Sequence, residues 1–136
     1  MSQLHLKIVT PEKEIYDGDV DMVTVTTPDG EIGLLPHHVN LMTQIIPGEL
    51  RIKIGDKVSY MVTGSGLLQM VNNTLIIATD LAEKPEEIDE KAVEEAKKRA
   101  EAALEQTLTD EEYAVSLATV EKALAQLKVK RRHHIH

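Results

Sequence analysis

The chain has no cysteine, tryptophan or phenylalanine, and only three tyrosines among its 136 residues. Without cysteine there can be no disulfide framework, no thiolate metal site, no cysteine nucleophile and no side-chain redox chemistry. The scarcity of aromatic rings removes the stacking platforms on which single-stranded nucleic acid and sugar sites depend. Positive charge is also in deficit, with 15 Lys and Arg against 23 Asp and Glu and a formal net charge of -8. Nucleic acid draws its binding energy from clustered Lys and Arg, so it is not expected as a partner, and protein surfaces fit better. No apolar run approaches membrane-spanning length, and Met1 to Leu6 lacks the basic start and apolar core of a leader, so a soluble, untargeted chain is expected.

Glycine and proline are unevenly missing. All seven glycines and five prolines lie in residues 1–85, and residues 86–136 contain neither. These residues turn strands and end helices, so the division predicts an α+β chain: an antiparallel β-sandwich over 1–85, then a two-helix antiparallel hairpin over 86–136. A length of 136 residues leaves little room for two full cores, and the hairpin must borrow stability from the head.

Within the first part, Leu4, Leu6 and Ile8 alternate with His5, Lys7 and Val9, the period of a half-buried strand. Glu14-Ile15-Tyr16 reads as a strand ending at a turn at Asp17-Gly18, and the next strand, from Val20 to Thr26, ends at Pro28-Asp29-Gly30. Leu50 to Ile54 turns at Gly55-Asp56 and returns through Val58, Tyr60 and Val62. A further hairpin joins Leu67–Val71 to Leu75–Thr79 through Asn72-Asn73, residues that tolerate left-handed backbone. Short strands at this spacing predict two packed sheets.

In the second part, Asp89 is placed to cap a helix, with Ile88 packing on Val93. Val93, Ala96, Ala100, Ala103 and Leu104 share one face. Thr109-Asp110-Glu111-Glu112 is a capping box, flanked by Leu108 and Tyr113. Tyr113, Leu117, Val120, Leu124 and Leu127 form the expected seam of the second helix. Alanine buries far less area than leucine, so the two helices gain little from each other, yet each is rich in strong helix formers. A mobile hairpin is the expectation, with one form packed on the sandwich and another on a different protein.

The order of parts, together with Gly30-Glu31-Ile32-Gly33-Leu34-Leu35-Pro36-His37-His38-Val39-Asn40-Leu41, resembles the epsilon subunit of bacterial F-type ATP synthases. That family carries a G-x-I-G-hydrophobic-hydrophobic-P-G-H-A-P-L signature, followed by a segment like Ile46-Pro47-Gly48. Val9-Thr10-Pro11, Tyr16-Asp17-Gly18 and Gly64-Ser65-Gly66-Leu67-Leu68 resemble further family positions, and the likeness spans the chain. It implies a non-catalytic rotor subunit in the central stalk, peripheral to the cytoplasmic face of the bacterial membrane. The head would dock on the gamma subunit and the c-subunit ring, coupling ring rotation to proton-driven ATP synthesis.

Carried onto this sequence, the interface residues are Gly30, Glu31, Gly33, Pro36, His38 and Leu41, with Glu31 toward the ring and His38 toward gamma. His37 stands where the family has glycine. The resemblance also implies that the hairpin can extend and hinder ATP hydrolysis, with Lys97, Lys98, Arg99, Lys122, Lys128, Lys130, Arg131 and Arg132 facing the beta subunit. A solvated helix face would look similar. Some members bind ATP as a regulatory ligand through an I-D-x-x-R-A motif. Ile88, Asp89 and Arg99 survive from that pattern, while Ala92, Lys122 and Gln126 stand at arginine positions. No other cofactor and no metal is expected.

Competing readings are weaker on physical grounds. His37 and His38 are adjacent, would point apart on a strand, and have no nucleophile motif to serve. His133, His134 and His136 have metal-binding atoms but form a terminal run without fixed geometry. Glu86, Glu87, Asp89 and Glu90 suit a helix start better than acid/base work. A non-catalytic β-sandwich adaptor unrelated to ATP synthase is the alternative.

Overall fold

A computed structural model describes residues 2–133. Ten strands form two five-stranded sheets, and two helices follow. The strands are β1 (Leu4–Val9), β2 (Glu14–Val20), β3 (Met22–Thr27), β4 (Gly30–Leu34), β5 (Leu41–Ile45), β6 (Gly48–Ile54), β7 (Lys57–Thr63), β8 (Gly66–Val71), β9 (Thr74–Thr79) and β10 (Ala82–Glu83). The first sheet has the order β2-β1-β9-β8-β5 and the second β10-β7-β6-β3-β4. All pairings are antiparallel except β1 with β9, which run parallel with His5 opposite Thr74 and Ile8 opposite Ile77. That contact joins the two ends of the head across some seventy residues, so the sandwich closes only when the last long strand is in place.

Alternation along the strands fills the space between the sheets. Leu4, Leu6 and Ile8 of β1 are fully buried, and they meet Val23 and Val25 of β3, Leu50 and Ile52 of β6, Leu68 and Met70 of β8, and Leu75 and Ile77 of β9. The core is aliphatic, with Tyr16 at its margin. Branched side chains without rings suit the pleated faces of two stacked sheets.

Asp17-Gly18 is not a turn. The chain reverses at Thr10–Lys13, where the Thr10 amide donates to the Lys13 carbonyl at 2.9 Å, and β2 runs through Gly18 to Val20. A glycine is tolerated there because β2 is an edge strand held to β1 by side chains. The His5 ring lies between two carboxylates, with Nε2 2.5 Å from Asp17 and Nδ1 2.9 Å from Asp19. The other expected turns form as read, with Asn72 and Asn73 at φ of 49° and 62°.

A single 3-10 turn, Pro85–Glu87, leads into α1 (Glu90–Leu104) and α2 (Asp110–Arg132). Asp89 accepts from the Ala92 amide at 3.1 Å, and Thr109 and Glu112 exchange a reciprocal pair of hydrogen bonds, each 3.1 Å. The helices lie antiparallel, for Arg131 at the end of α2 reaches Glu90 and Glu94 at the start of α1.

The hairpin meets the head through α2, which lies on β6 and β7. A small apolar cluster forms there: Val62 on the outer face of β7, Ile88, Ala125 and Val129, with Leu81 and Val93 at its edge. The expected α2 seam is only partly the buried one. Leu127 is buried, but Tyr113, Leu117 and Leu124 are exposed, and the buried positions are Ala123, Ala125, Leu127 and Val129. In its second half α2 is wedged between α1 and the sheet, so two of its faces need small side chains. Its first half meets a partner that buries little besides Ala100.

Candidate protein-docking surfaces

The run from Gly30 to Leu41 is divided by the fold into separate places. Pro28 and Asp29 turn the chain, and Gly30 enters β4 with φ of 114°, a backbone that a side chain would strain. Gly33 lies beneath Met22, whose terminal methyl would sit 2.6 Å from an added Cβ. Glu31 lies on β4, an edge strand, and both its oxygens are taken by Arg51, at 3.0 and 3.2 Å. From Glu31 to Leu34 the strand advances roughly 10 Å, so Glu31 and His38 do not converge.

The second place is the turn Leu35-Pro36-His37-His38. The His38 amide donates to the Leu35 carbonyl at 3.1 Å, with Pro36 second and His37 third at φ of 63°. That is the pattern of a type II turn, in which glycine is the usual third residue. His37 adopts the left-handed backbone all the same, anchored by donation from its amide to Asn73 Oδ1 at 2.8 Å. Asn40 accepts from the Asn72 amide at 3.2 Å, so the loop is tied to the β8–β9 turn. The His38 ring turns back on its own loop, Nδ1 donating to the Val39 carbonyl at 2.8 Å. Leu41 does not face outward. It packs against the core from the first position of β5.

Sequence reasoning missed an exposed apolar area of the head. On the outer face of the first sheet, Met42, Leu67, Val71 and Ile76 are exposed, Met42 to 65 % and Leu67 to 53 %. Register brings them together: Met42 stands opposite Gln69, which stands opposite Ile76, and Leu67 lies one pleat along. Leu35 and Val39 of the loop, exposed to 54 and 75 %, extend it around the edge. A signal was present in the sequence. Leu67-Leu68 and Ile76-Ile77 are apolar in both phases of their strands, which a sheet bare on one face does not require. The outer face of the second sheet differs, because α2 covers Val62 there.

The basic residues of the hairpin are mostly engaged. Lys122 pairs with Asp80 at 2.9 Å, Lys130 donates to the Pro85 carbonyl at 2.9 Å, and Arg131 holds Glu90 and Glu94 at 2.6 and 2.8 Å. Arg132 lies 3.4 Å from Glu49, and Lys97 is 3.9 Å from Glu101 one turn on. Lys98, Arg99 and Lys128 are exposed.

The three nucleotide candidates do not form a cluster. Ile88 is buried under α2, Asp89 is the cap of α1, and Arg99 stands ten residues further along that helix, roughly 15 Å by its rise. His133 joins Glu49 and Tyr60, while His134 and His136 lie outside the described residues.

Glu49 is the most enclosed charge of this region, its side chain only 8 % exposed. Burial pushes its pKa up, but hydrogen bonds from His133 and Arg51 and the charge of Arg132 outweigh that and hold the carboxyl below its ordinary range. The hydrogen bonds that Arg51 donates to Glu31 and then to Glu49 raise its own pKa in turn. Beside this cluster a groove of about 660 Å³ separates Ile46 and Pro47 of the head from Leu124 and Lys128 of α2.

A small sandwich with one bare apolar face and a helical pair laid on the other is built to meet other proteins, and comparison with known proteins agrees. The family model for the ATP synthase delta/epsilon chain β-sandwich domain matches residues 3–85, and that for the delta/epsilon chain long α-helix domain matches 86–131. The chain belongs to the ATP synthase delta/epsilon chain family. The ATP synthase epsilon chain of Laribacter hongkongensis is 38 % identical over 141 residues, covering 98 % of this chain and all of that one. That of Legionella pneumophila is 41 % identical over 126 residues, 91 % of this chain and 89 % of its own. Among solved structures, a chain of the Euglena gracilis mitochondrial ATP synthase (OSCP/F1/c-ring) shares the fold, with a TM-score of 0.77 at 24 % identity, covering 92 % of this chain and 79 % of that one.

Proposed function

We propose that this chain is an epsilon-type rotor subunit of a bacterial F-type ATP synthase, without catalytic residues of its own, peripheral to the cytoplasmic face of the membrane. Its head links the gamma subunit to the c-subunit ring, and through them couples ring rotation to proton-driven ATP synthesis. The observation that carries this reading is the match of both family domains along the chain, with relatives named ATP synthase epsilon chain covered almost end to end. The uncovered face of the first sheet supports it. A protein partner gains on the order of 25 cal/mol for each Å² of apolar surface it covers, and Met42, Leu67, Val71 and Ile76 offer such surface on a rigid sheet.

We assign that face and the His38 loop to gamma, and the Gly30–Glu31 edge to the ring. The hairpin restrains ATP hydrolysis when it leaves the head. Lys122, Lys130 and Arg132, held by Asp80, Pro85 and Glu49 in the closed form, then become available to acidic groups of the beta subunit, alongside Lys98, Arg99 and Lys128.

The test is reconstitution with gamma and the c ring. Charging the face by Met42→Glu with Leu67→Glu should abolish capture of gamma while the head keeps its thermal midpoint, since both side chains are more than half exposed. Undiminished capture would refute the assignment of that face. In the assembled enzyme, ending the chain after Glu86 should raise ATPase activity, and unchanged activity would remove the inhibitory role.

A further inference from the structure

Four charges alternate in sign across the outer surface of the second sheet and onto the end of α2. Glu31 on β4 holds Arg51 on β6; Arg51 Nη1 also donates to Glu49 Oε2 at 2.8 Å; and the same Glu49 oxygen faces Arg132 Nη1 at 3.4 Å. The other Glu49 oxygen accepts from His133 Nε2. A carboxylate only accepts, so the ring nitrogen carries the proton. His133 is further held by stacking on Tyr60, ring centroids 3.7 Å apart at 19°. Tyr60 stands directly opposite Arg51 in the β6–β7 register, so strand pairing positions the whole group. A buried carboxylate needs such partners, because desolvated charge is costly unless it is paired and hydrogen-bonded.

We propose that Glu49 is the anchor of a clip that fastens the last turn of α2 to the head, and that Arg51, shared with Glu31, couples this clip to whatever engages Glu31. Arg51 and Arg132 compete for one oxygen. While Glu31 is in place the row reads minus, plus, minus, plus, and Arg132 meets a hub with negative charge to spare. When a partner draws Glu31 away, the full charge of Arg51 falls on Glu49, the hub that Arg132 faces becomes neutral, and Arg132 is held less tightly. Occupation of the β4 edge therefore loosens the hairpin end, which lies on strands two and three places across the sheet. The identity of Glu31's partner rests on the docking reading above, whereas the clip and its coupling are properties of this chain alone.

The experiment uses the isolated full-length protein, so its failure would leave rotor docking untouched. Hydrogen exchange is followed by mass spectrometry in peptides covering 127–133, with β8 and β9 peptides as the internal reference. Glu49→Gln keeps the shape and removes the charge, and should speed exchange in the last turn of α2 about tenfold, the size expected for a charge-assisted hydrogen bond. His133→Ala removes the other half of the contact from the helix end, outside both sheets, and should loosen the same peptide by about threefold. Parent-like protection in His133→Ala, or equal acceleration in β8 and β9 with Glu49→Gln, would overturn the clip. Glu31→Gln should accelerate the same peptide by about threefold in the parent and not at all in the Glu49→Gln background. An equal effect in both backgrounds would overturn the coupling.

Discussion

The head and the hairpin of this chain are both regular and well capped, yet they are held by very different means. Sixteen buried apolar side chains from both sheets form one continuous core in the head, whereas the contact between hairpin and head buries four. Of those four one is an alanine, and the remainder of the contact is polar: Gln126 to Glu83 at 2.7 Å, Lys122 to Asp80, Lys130 to Pro85, and the group around Glu49. Apart from the enclosed Glu49, such polar contacts are individually weak and interchangeable with water or another protein's groups. A docked element built this way can be secure in one setting and detached in another without unfolding anything else, as the proposed restraint of ATP hydrolysis requires.

The contrast predicts unequal responses to similar damage. Leu68→Ala, which opens a cavity between the sheets, should lower global stability by about 2–5 kcal/mol in denaturant unfolding. Val129→Ala should cost about 1.5 kcal/mol, and that loss should appear as faster exchange in α2 with the unfolding midpoint of the head little changed. If both variants shifted the same global transition equally, the two regions would be one cooperative unit.

Acidity and alkalinity should act on opposite sides of the molecule. Glu49 has a depressed pKa in the folded protein, so the docking it supports is complete above the ordinary carboxylate range and is lost as pH falls through its lowered value. Arg51, Arg132, His133 and Tyr60 are the titratable or charged groups around it. His5 is the reverse case. The hydrogen bond to Asp19 raises its pKa against a smaller effect of burial, with Asp17 adding to the rise, so its hold on β2 is complete below the ordinary histidine range and fades as pH rises through the raised value. Amide protection, corrected for the pH dependence of intrinsic exchange, should therefore fall at the end of α2 in acid and in β2 above neutral pH. Loss of protection in both segments at the same end of the scale would contradict the assignment.

The smallest effect concerns the loop. His37→Gly should raise stability by less than about 1 kcal/mol, the relief of a left-handed side chain being offset by the greater freedom of glycine in the unfolded chain. A loss of stability on thermal unfolding would mean that the His37 side chain makes a contribution beyond its backbone.

Much of this was legible from residue order because it depends on near neighbours. Alternation in β1, the Asn72-Asn73 turn, the Asp89 cap and the Thr109–Glu112 box each involve residues a few positions apart, and each forms as read. The misreadings have a common origin. Asp17-Gly18 has the composition of a turn, but pairing with Lys7 and Leu6 of β1 makes it the middle of an edge strand. The α2 stripe was correctly apolar, but which part of it would be covered depended on α1 being poor in large side chains and on Val62 standing opposite Ala125 and Val129.

Residue order alone therefore carried the change from strands to helices after residue 85, the individual elements and the family, since propensity, periodicity and capping are local properties of the chain. Packing had to choose which apolar strand face stays bare and which lies under α2, and it had to bring Glu49 within reach of His133, 84 residues away. Such choices depend on sums of contacts between distant segments, and no window of sequence contains both partners.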